Sequence, residues 1–378
     1  MRRVVLARGA SGRFDSVRRV NDFRPGLEGV VAFETEIAEP DKEGGALRYR
    51  GVDIEDLIGH YPFEKVWGLL VDETFEPGMP RAERIELQDP SGSVMADLQA
   101  GLATLGPKWG LQQLVDIDAE QARDDLARLS AAALSIVAQA ARGDAPPVAE
   151  SEIDSCDTAA EQFLMRWRGE TDPAHVKAVD TYWVSAAEHG LNASTFCARI
   201  AASTGADCAA AMSAAVGALS GPLHGGAPTR VLTMLDEVAR TGDVEGYVRS
   251  LIERGERIMG FGHRVYRAED PRARVLRRTA QELGSSRVEV ALALEKAALA
   301  ALRAKSPDRP LETNVEFWAA VVLDVAEIPP PMYPALFGCA RVAGWSAHII
   351  EQKKTGRLIR PSARYIGPAA RPLESVGA

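Results

Sequence analysis

The sequence is poor in aromatic residues, in cysteine and in positive charge, and each shortage excludes a class of protein. Aromatics make up only 6% of 378 residues, which favours closely packed helices over sandwiches of aromatic-rich strands. The net charge of −9 gives no general attraction for nucleic acid. The cysteines form no CxxC pair and are typical of small hydrophobic residues in a reducing compartment. They are Cys156, Cys197, Cys208 and Cys339.

Long apolar runs and cofactor motifs are missing as well. The stretch of small residues over 209–219 is too short for a membrane span and contains serine. The N-terminus carries arginines but lacks the apolar core of a secretory signal, so we expect a cytoplasmic protein. Asn192-Ala-Ser194 is then a chance match to a glycosylation sequon. Without a metal-ligand cluster, a P-loop or a dinucleotide fingerprint, the sequence predicts no metal and no resident cofactor.

The sequence predicts an almost wholly helical chain. Apolar and polar residues alternate over 29–50 on either side of a turn at Asp41 to Gly45, which predicts a small β-hairpin. A polyproline run at 329–331 marks the best candidate boundary, and the segment after 355 is expected to be extended. Helical periodicity and capping signals predict helices over 54–58, 63–70, 119–142, 154–169, 174–187, 191–202, 208–219, 228–240, 244–254, 271–283, 288–304, 314–325 and 333–352.

Two glycine-flanked histidines are the strongest functional signal. His224 lies in GPLHGGAP and His263 in MGFGHRVYRAEDPR, where glycines let the backbone approach a ligand closely. Arg264, Arg267 and Arg272 follow His263. An imidazole can hydrogen-bond a carbonyl oxygen near neutral pH, and a guanidinium can hold a carboxylate or phosphate in a fork. The pattern therefore predicts carbonyl chemistry on a multiply anionic substrate.

These motifs resemble those of the citrate synthase family. The two histidine motifs, EHGLNASTFCARIAAS (188–203), TNVEFWAAVVLD, FGCARVAGWSAHIIEQ and GRLIRPSARYIGP occur in the family's order and spacing. GVVAFETEI and ALRYRGVDIEDL resemble its opening hairpin. The likeness is strong over 27–70 and 180–368 and weak over about 75–175. There WGLQQLVDID occupies the position of the family's His-Pro-Met segment.

The resemblance implies a two-domain, all-α dimer. The large domain would comprise 1–224 and 331–378 and carry the dimer contacts and an oxaloacetate site. The small domain, 225–330, would bind coenzyme A and close over the substrate. One residue from the partner subunit would complete each site.

The implied reaction condenses an acyl-CoA with oxaloacetate and then hydrolyses the thioester. His224 would bind the thioester oxygen as it becomes enolate-like, and His263 would polarise the oxo group. The carboxylates of oxaloacetate would bind His189, Arg272, Arg341 and, from the partner subunit, Arg360. Coenzyme A phosphates would bind Arg264 and Arg267, and its adenine would meet the Met259, Gly260, Phe261 and Gly262 backbone.

The third catalytic position departs from the family. Where the family has aspartate in an Asn-Val-Asp stretch, this chain has Asn314-Val315-Glu316, and Glu316 would be the base. Its extra methylene displaces the carboxylate by roughly 1 Å, which can cost about a hundredfold in rate. Alternatively, Thr313 and Glu316 match a capping box, and Glu316 would then only cap a helix.

Three further residues have simpler alternatives. His189 could be a satisfied core group. Arg272 is predicted in the first turn of a helix, where a cation is unfavourable unless an anion lies nearby; this supports a ligand role. Lys353, like Lys354 beside it, is expected to be solvated at a helix end.

Three functions remain open on the sequence. The chain could form citrate from acetyl-CoA, or 2-methylcitrate from propionyl-CoA, since one methylene is worth only about 1–3 kcal/mol. It could also be a catalytically weak paralogue that binds coenzyme A or an oxo acid, as Glu316 and the divergent 75–175 region would allow.

Overall fold

The computed structural model describes residues 23–41, 43, 45–87, 90–225, 228–262, 266, 268–307 and 311–376. The chain divides into two compact units at Thr35. The described part of the first contains a short 3-10 helix, Pro25–Leu27. The second unit, residues 36–378, carries all the other elements. Among the described residues, no helix is both long and apolar enough to cross a membrane.

The predicted hairpin is present and belongs to a three-stranded antiparallel sheet. Its strands are β1 (Ala38–Asp41), β2 (Ala46–Tyr49) and a short β3 (Val52–Asp53), in the order β1-β2-β3. The Tyr49 hydroxyl, buried at the end of β2, donates to the Val184 carbonyl (3.0 Å) and accepts from the Glu188 amide (3.2 Å). The sheet is thereby fixed to the chain segment that carries His189.

The all-α prediction is confirmed, since helices make up most of the described chain. The predictions for 119–142 and 208–219 agree to the residue. The helices are α1 (Ile54–Leu57), α2 (Phe63–Asp72), α3 (Val94–Trp109), α4 (Ala119–Arg142), α5 (Glu150–Asp154), α6 (Ala159–Arg168), α7 (Pro173–Ala186), α8 (Ala193–Ser203), α9 (Cys208–Leu219), α10 (Pro228–Thr241), α11 (Val244–Glu253), α12 (Pro271–Glu282), α13 (Val288–Lys305), α14 (Val315–Val325) and α15 (Tyr333–Thr355).

Two helix predictions were wrong for local reasons. Helix α3 was missed because two glycines and Pro107 interrupt its pattern; it forms because it packs on α4 and α9. The helix predicted over 154–169 begins only at Ala159, and Asp154 is instead the last residue of α5. A capping box starts α6 at Thr158, whose side chain accepts from the Glu161 amide (3.2 Å).

Helix α15 passes through the middle of the helical core. It packs against α2, α4, α7, α8 and α9 and is buried along most of its length. Small residues permit this close approach: a Cβ at Gly344 would lie 2.6 Å from the Ala187 carbonyl oxygen. As a result α15 carries polar groups such as Arg341 into the interior. Helix α12 packs against α7 and α14, and the charge of Arg272 in its first turn acts on Arg341.

Asp180 makes the fold sensitive to pH. Its Oδ1 accepts from the Phe63 amide (2.8 Å) at the start of α2, and burial raises its pKa to about 7. In the unfolded chain the pKa is about 3.9, so its favourable contribution is present below pH 4 and is lost as pH rises through 7. Asp180→Asn keeps the accepting oxygen without the charge. We expect it to raise the Tm at pH 8 much more than at pH 5.

Thermal unfolding followed by circular dichroism at the two pH values tests this expectation. Asp172→Asn is the matched control, because Asp172 caps α7 from an exposed position and backbone hydrogen bonds lower its pKa. Its effect should be the same at pH 5 and pH 8. Equal shifts for Asp180→Asn at both pH values would contradict the titration of Asp180.

Candidate active site

His224 lies in a tight turn after α9. The His224 and Gly225 amides both donate to the Gly221 carbonyl, at 2.9 and 3.1 Å. A Cβ at Gly225 would lie 2.5 Å from the Leu219 carbonyl oxygen, so only glycine fits there. The turn fixes the backbone of His224 and directs its imidazole towards α8.

The His224 ring is held by a buried serine. Its Nε2 lies 2.9 Å from the Oγ of Ser194, which also accepts from the Trp345 indole (3.2 Å). In the structure the Ser194 hydroxyl donates to Oδ1 of Asn192 (2.8 Å). When it turns its proton to Nε2 of His224 instead, the neutral ring carries its own proton on Nδ1. That nitrogen can then donate to a substrate oxygen.

The pKa of His224 favours the neutral ring. Burial and, after it, the positive charge of Arg341 lower the pKa to about 4. At neutral pH the imidazole is therefore a hydrogen-bond donor without charge, suited to stabilising an enolate-like oxygen.

Glu316 lies in the first turn of α14 but does not cap it. Asn314 is the N-cap, and its Oδ1 accepts from the Glu316 amide (3.0 Å). Thr313 precedes the cap and pairs with Phe261 in a β-bridge. The capping-box alternative for Thr313 and Glu316 is therefore wrong, and capping does not account for the carboxylate.

Glu316 has the electrostatics of a base. Burial raises its pKa, while the positive charges of Arg272 and Arg257 act in the opposite direction and lower it. A carboxylate whose pKa is raised binds a proton more readily, which a base acting on a weak carbon acid needs.

The loop before His263 is fastened to the start of α14. The Asn314 amide donates to the Gly260 carbonyl (2.9 Å), and its side-chain Nδ2 donates to the Gly262 carbonyl (2.9 Å). Gly260 has φ +84°, and a Cβ there would lie 2.7 Å from the Cβ of Phe317. The loop from Met259 to Gly262 is thus held beside Glu316.

Three predicted site residues, His263, Arg264 and Arg267, lie outside the described residues, and their roles stay predictions.

Arg272 is buried against Asp270. Its Nε donates to Oδ1 (3.0 Å) and its Nη2 to Oδ2 (2.8 Å) of that carboxylate. Oδ2 also accepts from the Val315 amide (3.1 Å), which joins Arg272 to α14. The nearby anion expected for a cation in this first turn is therefore Asp270. The placement of Arg272 at a helix start does not by itself indicate a ligand.

Arg341 is a buried guanidinium with unused donors. Only 3% of it is exposed, and its Nε and Nη1 have no hydrogen-bond acceptor among the described residues. Its guanidinium carbon lies 4.7 Å from the centre of the Phe337 ring. Burial lowers its pKa, partly offset by Glu188. A buried cation with free donors fits a carboxylate ligand.

His189 lies beside a buried carboxylate. Its amide donates to Oε1 of Glu188 (2.8 Å), and its ring meets the edge of Tyr266 with centroids 5.2 Å apart. Burial tends to raise the pKa of Glu188, but His348 and Arg341 together bring it below its ordinary value.

The structure thus brings several of the predicted residues into one electrostatic neighbourhood. Arg341 acts on His224 and Glu188, and Arg272 acts on both Glu316 and Arg341. Glu188 in turn adjoins His189.

Two other residues have surroundings of their own. Arg360 is exposed on the segment after α15, next to Ile359, whose amide donates to Ser203. Lys353 is not solvated as predicted: its Nζ donates to the carbonyls of Leu114 (2.5 Å) and Ile117 (2.6 Å). It thereby holds the segment that replaces His-Pro-Met, while Lys354 is exposed as expected.

Comparison with known proteins identifies the family of the chain. The sequence model of the family described as "Citrate synthase, C-terminal domain" matches residues 26–362. The chain belongs to the citrate synthase family. It is an acyltransferase of the type that converts the acyl group into alkyl on transfer, with citrate synthase and 2-methylcitrate synthase among its relatives.

Three relatives show the extent of the likeness. The chain is 63% identical to "Putative citrate synthase 2" of Mycobacterium tuberculosis (strain CDC 1551 / Oshkosh), covering 94% of this chain and 96% of that protein. It is 32% identical to "2-methylcitrate synthase" of Shewanella oneidensis, over 92% and 95% of the two chains. Citrate synthase from Thermoplasma acidophilum, in ternary complex with carboxymethyl coenzyme A and oxaloacetate, matches with TM-score 0.78 and 29% identity, over 93% and 98%.

The residues that hold the His224 ring could not be recognised from the sequence. In the sequence, Ser194 is notable only as part of a chance sequon match, yet its hydroxyl contacts the His224 ring. Asn192, in the same match, is the N-cap of α8. An N-cap asparagine just before a helical pattern was the available local signal. No local signal indicates that Trp345 lies against Ser194, because 151 residues separate them.

Proposed function

We propose that the chain condenses acetyl-CoA with oxaloacetate and hydrolyses the citryl-CoA thioester to citrate and coenzyme A. One observation carries the proposal. A neutral imidazole, His224, and a buried carboxylate, Glu316, share an electrostatic neighbourhood with a buried guanidinium, Arg341, that has unused donors. A base, an oxyanion donor and a carboxylate ligand are what this condensation requires.

Each residue then has a chemical task. The Glu316 carboxylate removes a proton from the thioester methyl group, while Nδ1 of His224 donates to the thioester oxygen. The resulting carbon attacks the oxo carbon of oxaloacetate, which His263 polarises. Arg341, Arg272, His189 and the partner's Arg360 hold the two carboxylates. Water then cleaves the thioester, which releases coenzyme A.

We place the coenzyme A site on residues that adjoin Glu316. The Met259, Gly260, Phe261 and Gly262 backbone would receive the adenine, and Arg264 and Arg267 the phosphates. Residues 225–330 would form a small domain that closes over the substrates. No resident cofactor or metal enters the proposed chemistry, and we place the protein in the cytoplasm.

The acyl chain length is tested by competition. Equal concentrations of acetyl-CoA and propionyl-CoA are mixed with oxaloacetate, and citrate and 2-methylcitrate are counted by mass spectrometry. We expect citrate to exceed 2-methylcitrate by tenfold or more, since an added methylene changes selectivity by about 10- to 200-fold. An excess of 2-methylcitrate would assign the chain to propionyl-CoA, the activity that the Shewanella oneidensis relative is named for.

Shared active sites are tested by mixing inactive subunits. Arg360 is exposed and makes no hydrogen bond or ion pair with the described part of the chain, which supports its use by a partner subunit. We propose a homodimer in which mixed Arg360→Ala and His224→Ala subunits regain part of the activity. Absence of recovery, with mixed dimers verified by differential tags, would contradict this arrangement.

The positive charge of Arg257 is expected to influence the pH at which activity falls on the acid side. Glu316 must be ionised to act as base, so activity falls as pH decreases through its raised pKa, whereas His224, at about 4, stays neutral over most of this range. Removing the positive charge in Arg257→Ala should raise the pKa of Glu316 further. The acid limb of kcat/KM should therefore move to higher pH.

The matched control for that profile is Arg254→Ala. Arg254 is similarly exposed but forms an ion pair with Glu256 (2.7 Å) and is not among the main charges that shift the pKa of Glu316. Its acid limb should coincide with that of the wild type. An unshifted limb in Arg257→Ala would mean that Glu316 does not control it.

A further inference from the structure

A cavity of about 400 Å³ lies outside the proposed active site, at the C-terminal end of α4. It lies between residues 84–87 and Pro90, residues of the segment 143–148 and the side chain of Arg166. This volume is in the range of small-molecule pockets. None of the residues proposed for the condensation lines it.

Three arginines give the cavity its charge, and they differ in what they bind. The side chain of Arg166 is only 4% exposed and forms a double hydrogen bond with Glu150 (2.8 and 3.0 Å). Arg142 donates to the carbonyls of Pro146 (2.6 Å) and Trp167 (2.8 Å), which shapes the loop. Arg84 is exposed, and no hydrogen bond or ion pair joins it to the described part of the chain.

The rest of the lining is largely apolar. Glu86 is the one carboxylate among the described lining residues, so the arginines outnumber it even after Arg166 is paired with Glu150. The apolar lining residues are Ile85, Leu87, Pro90, Ala145, Pro147 and Val148. A lining of this kind suits a ligand with an anionic head and an apolar or flat body.

We propose that this cavity binds a small amphipathic anion, a phosphate or carboxylate attached to an apolar body of up to mononucleotide size. Arg84 supplies the main contact to the head, and the body lies against the apolar lining residues on the two sides of the cavity. The cavity is separate from the residues proposed for the condensation, so it is not a requirement of that reaction.

Calorimetric titration of the full chain tests the proposal. Coenzyme A and oxaloacetate are present at saturation, so that the proposed active site is occupied by a pair that cannot react. The probes are AMP, hexanoate and inorganic phosphate. We expect AMP or hexanoate to bind with a Kd below about 1 mM. Inorganic phosphate should bind at least tenfold more weakly, because it lacks the body.

Two variants assign that binding to the cavity. Arg84→Ala should weaken it at least tenfold, and Ala145→Trp should abolish it by filling the space without removing charge. Arg81→Ala is the matched control, since this exposed arginine contacts the Asp154 carbonyl and does not line the cavity. The variants are first checked for unchanged thermal unfolding.

The outcomes are decisive whichever reaction the chain catalyses. Lack of binding by both AMP and hexanoate would overturn the proposal. So would binding that survives Arg84→Ala or Ala145→Trp, or phosphate binding as tight as that of the larger probes. Failure of the condensation would leave the two variant comparisons unaffected.

Discussion

Replacing Glu316 with glutamine is expected to lower kcat by about a thousandfold, because a general base contributes roughly 10²- to 10⁴-fold. The amide keeps the size of the side chain but cannot accept the proton. The affinity for oxaloacetate, measured by calorimetry, should change less than about threefold, since the arginines hold its carboxylates. Free-thiol release from acetyl-CoA gives kcat directly.

Glu312→Gln is the matched control for this variant. Glu312 lies four residues earlier, and its side chain forms an ion pair with Arg303 (2.9 Å) at the surface. Its loss should leave kcat within about twofold, as such pairs contribute little. A Glu316→Gln enzyme that releases thiol at the wild-type rate would exclude Glu316 as the base.

The Glu316→Asp variant tests whether the rest of the site has adjusted to the longer side chain of glutamate. Aspartate restores the residue usual in the family but withdraws the carboxylate by roughly 1 Å. The hydrogen bonds between Asn314 and the Gly260–Gly262 loop fix where α14 begins, so the helix cannot simply move. We therefore expect kcat to fall, by up to about a hundredfold. A faster Glu316→Asp enzyme would show that the site has not adjusted.

Replacing Arg341 with methionine is expected to stabilise the fold and impair substrate binding at once. The buried guanidinium leaves Nε and Nη1 without acceptors, and methionine of similar volume removes that penalty. The free energy of unfolding should rise by about 1 kcal/mol or more. The Kd for oxaloacetate should rise by about a hundredfold, because a buried charged contact contributes roughly 2–5 kcal/mol.

Arg199→Met is the matched control, since Arg199 is equally buried but fully engaged. Its guanidinium donates to Gln352 (3.2 Å), His348 (2.9 Å) and Glu351. Breaking this network should lower the Tm and leave oxaloacetate binding by the folded protein unchanged. A destabilised Arg341→Met enzyme with normal oxaloacetate binding would show that Arg341 has a structural role only.

The fold could be predicted where its information is local. Helix α4 begins at an aspartate cap, Asp118, and is followed by Gly143, so both of its ends were readable. Helix α3 carries contrary local signals, and its packing on α4 and α9 decides its structure. Tertiary packing outweighs intrinsic propensity in such segments.

The residues of the site could likewise be predicted only where the information is local. His224, Glu316 and Arg341 could be nominated because each lies within a short motif. The side chains and carbonyls that contact these residues and their neighbours could not be predicted, because they come from distant parts of the chain. Ser194 meets His224 across 30 residues, and Lys353 meets the Leu114 carbonyl across 239. The sequence indicates Asp270 only as the N-cap of α12. Its second function, as the counter-ion of Arg272 two residues later, is seen only in the structure.

We propose that this site joins acetyl-CoA to oxaloacetate. The most direct test is to follow free-thiol release from acetyl-CoA by the purified protein, with and without oxaloacetate, and to count the citrate formed. Thiol release that depends on oxaloacetate, with one citrate for each thiol, is the predicted result. Oxaloacetate binding by calorimetry without thiol release from acetyl-CoA or propionyl-CoA would contradict it and leave a binding protein.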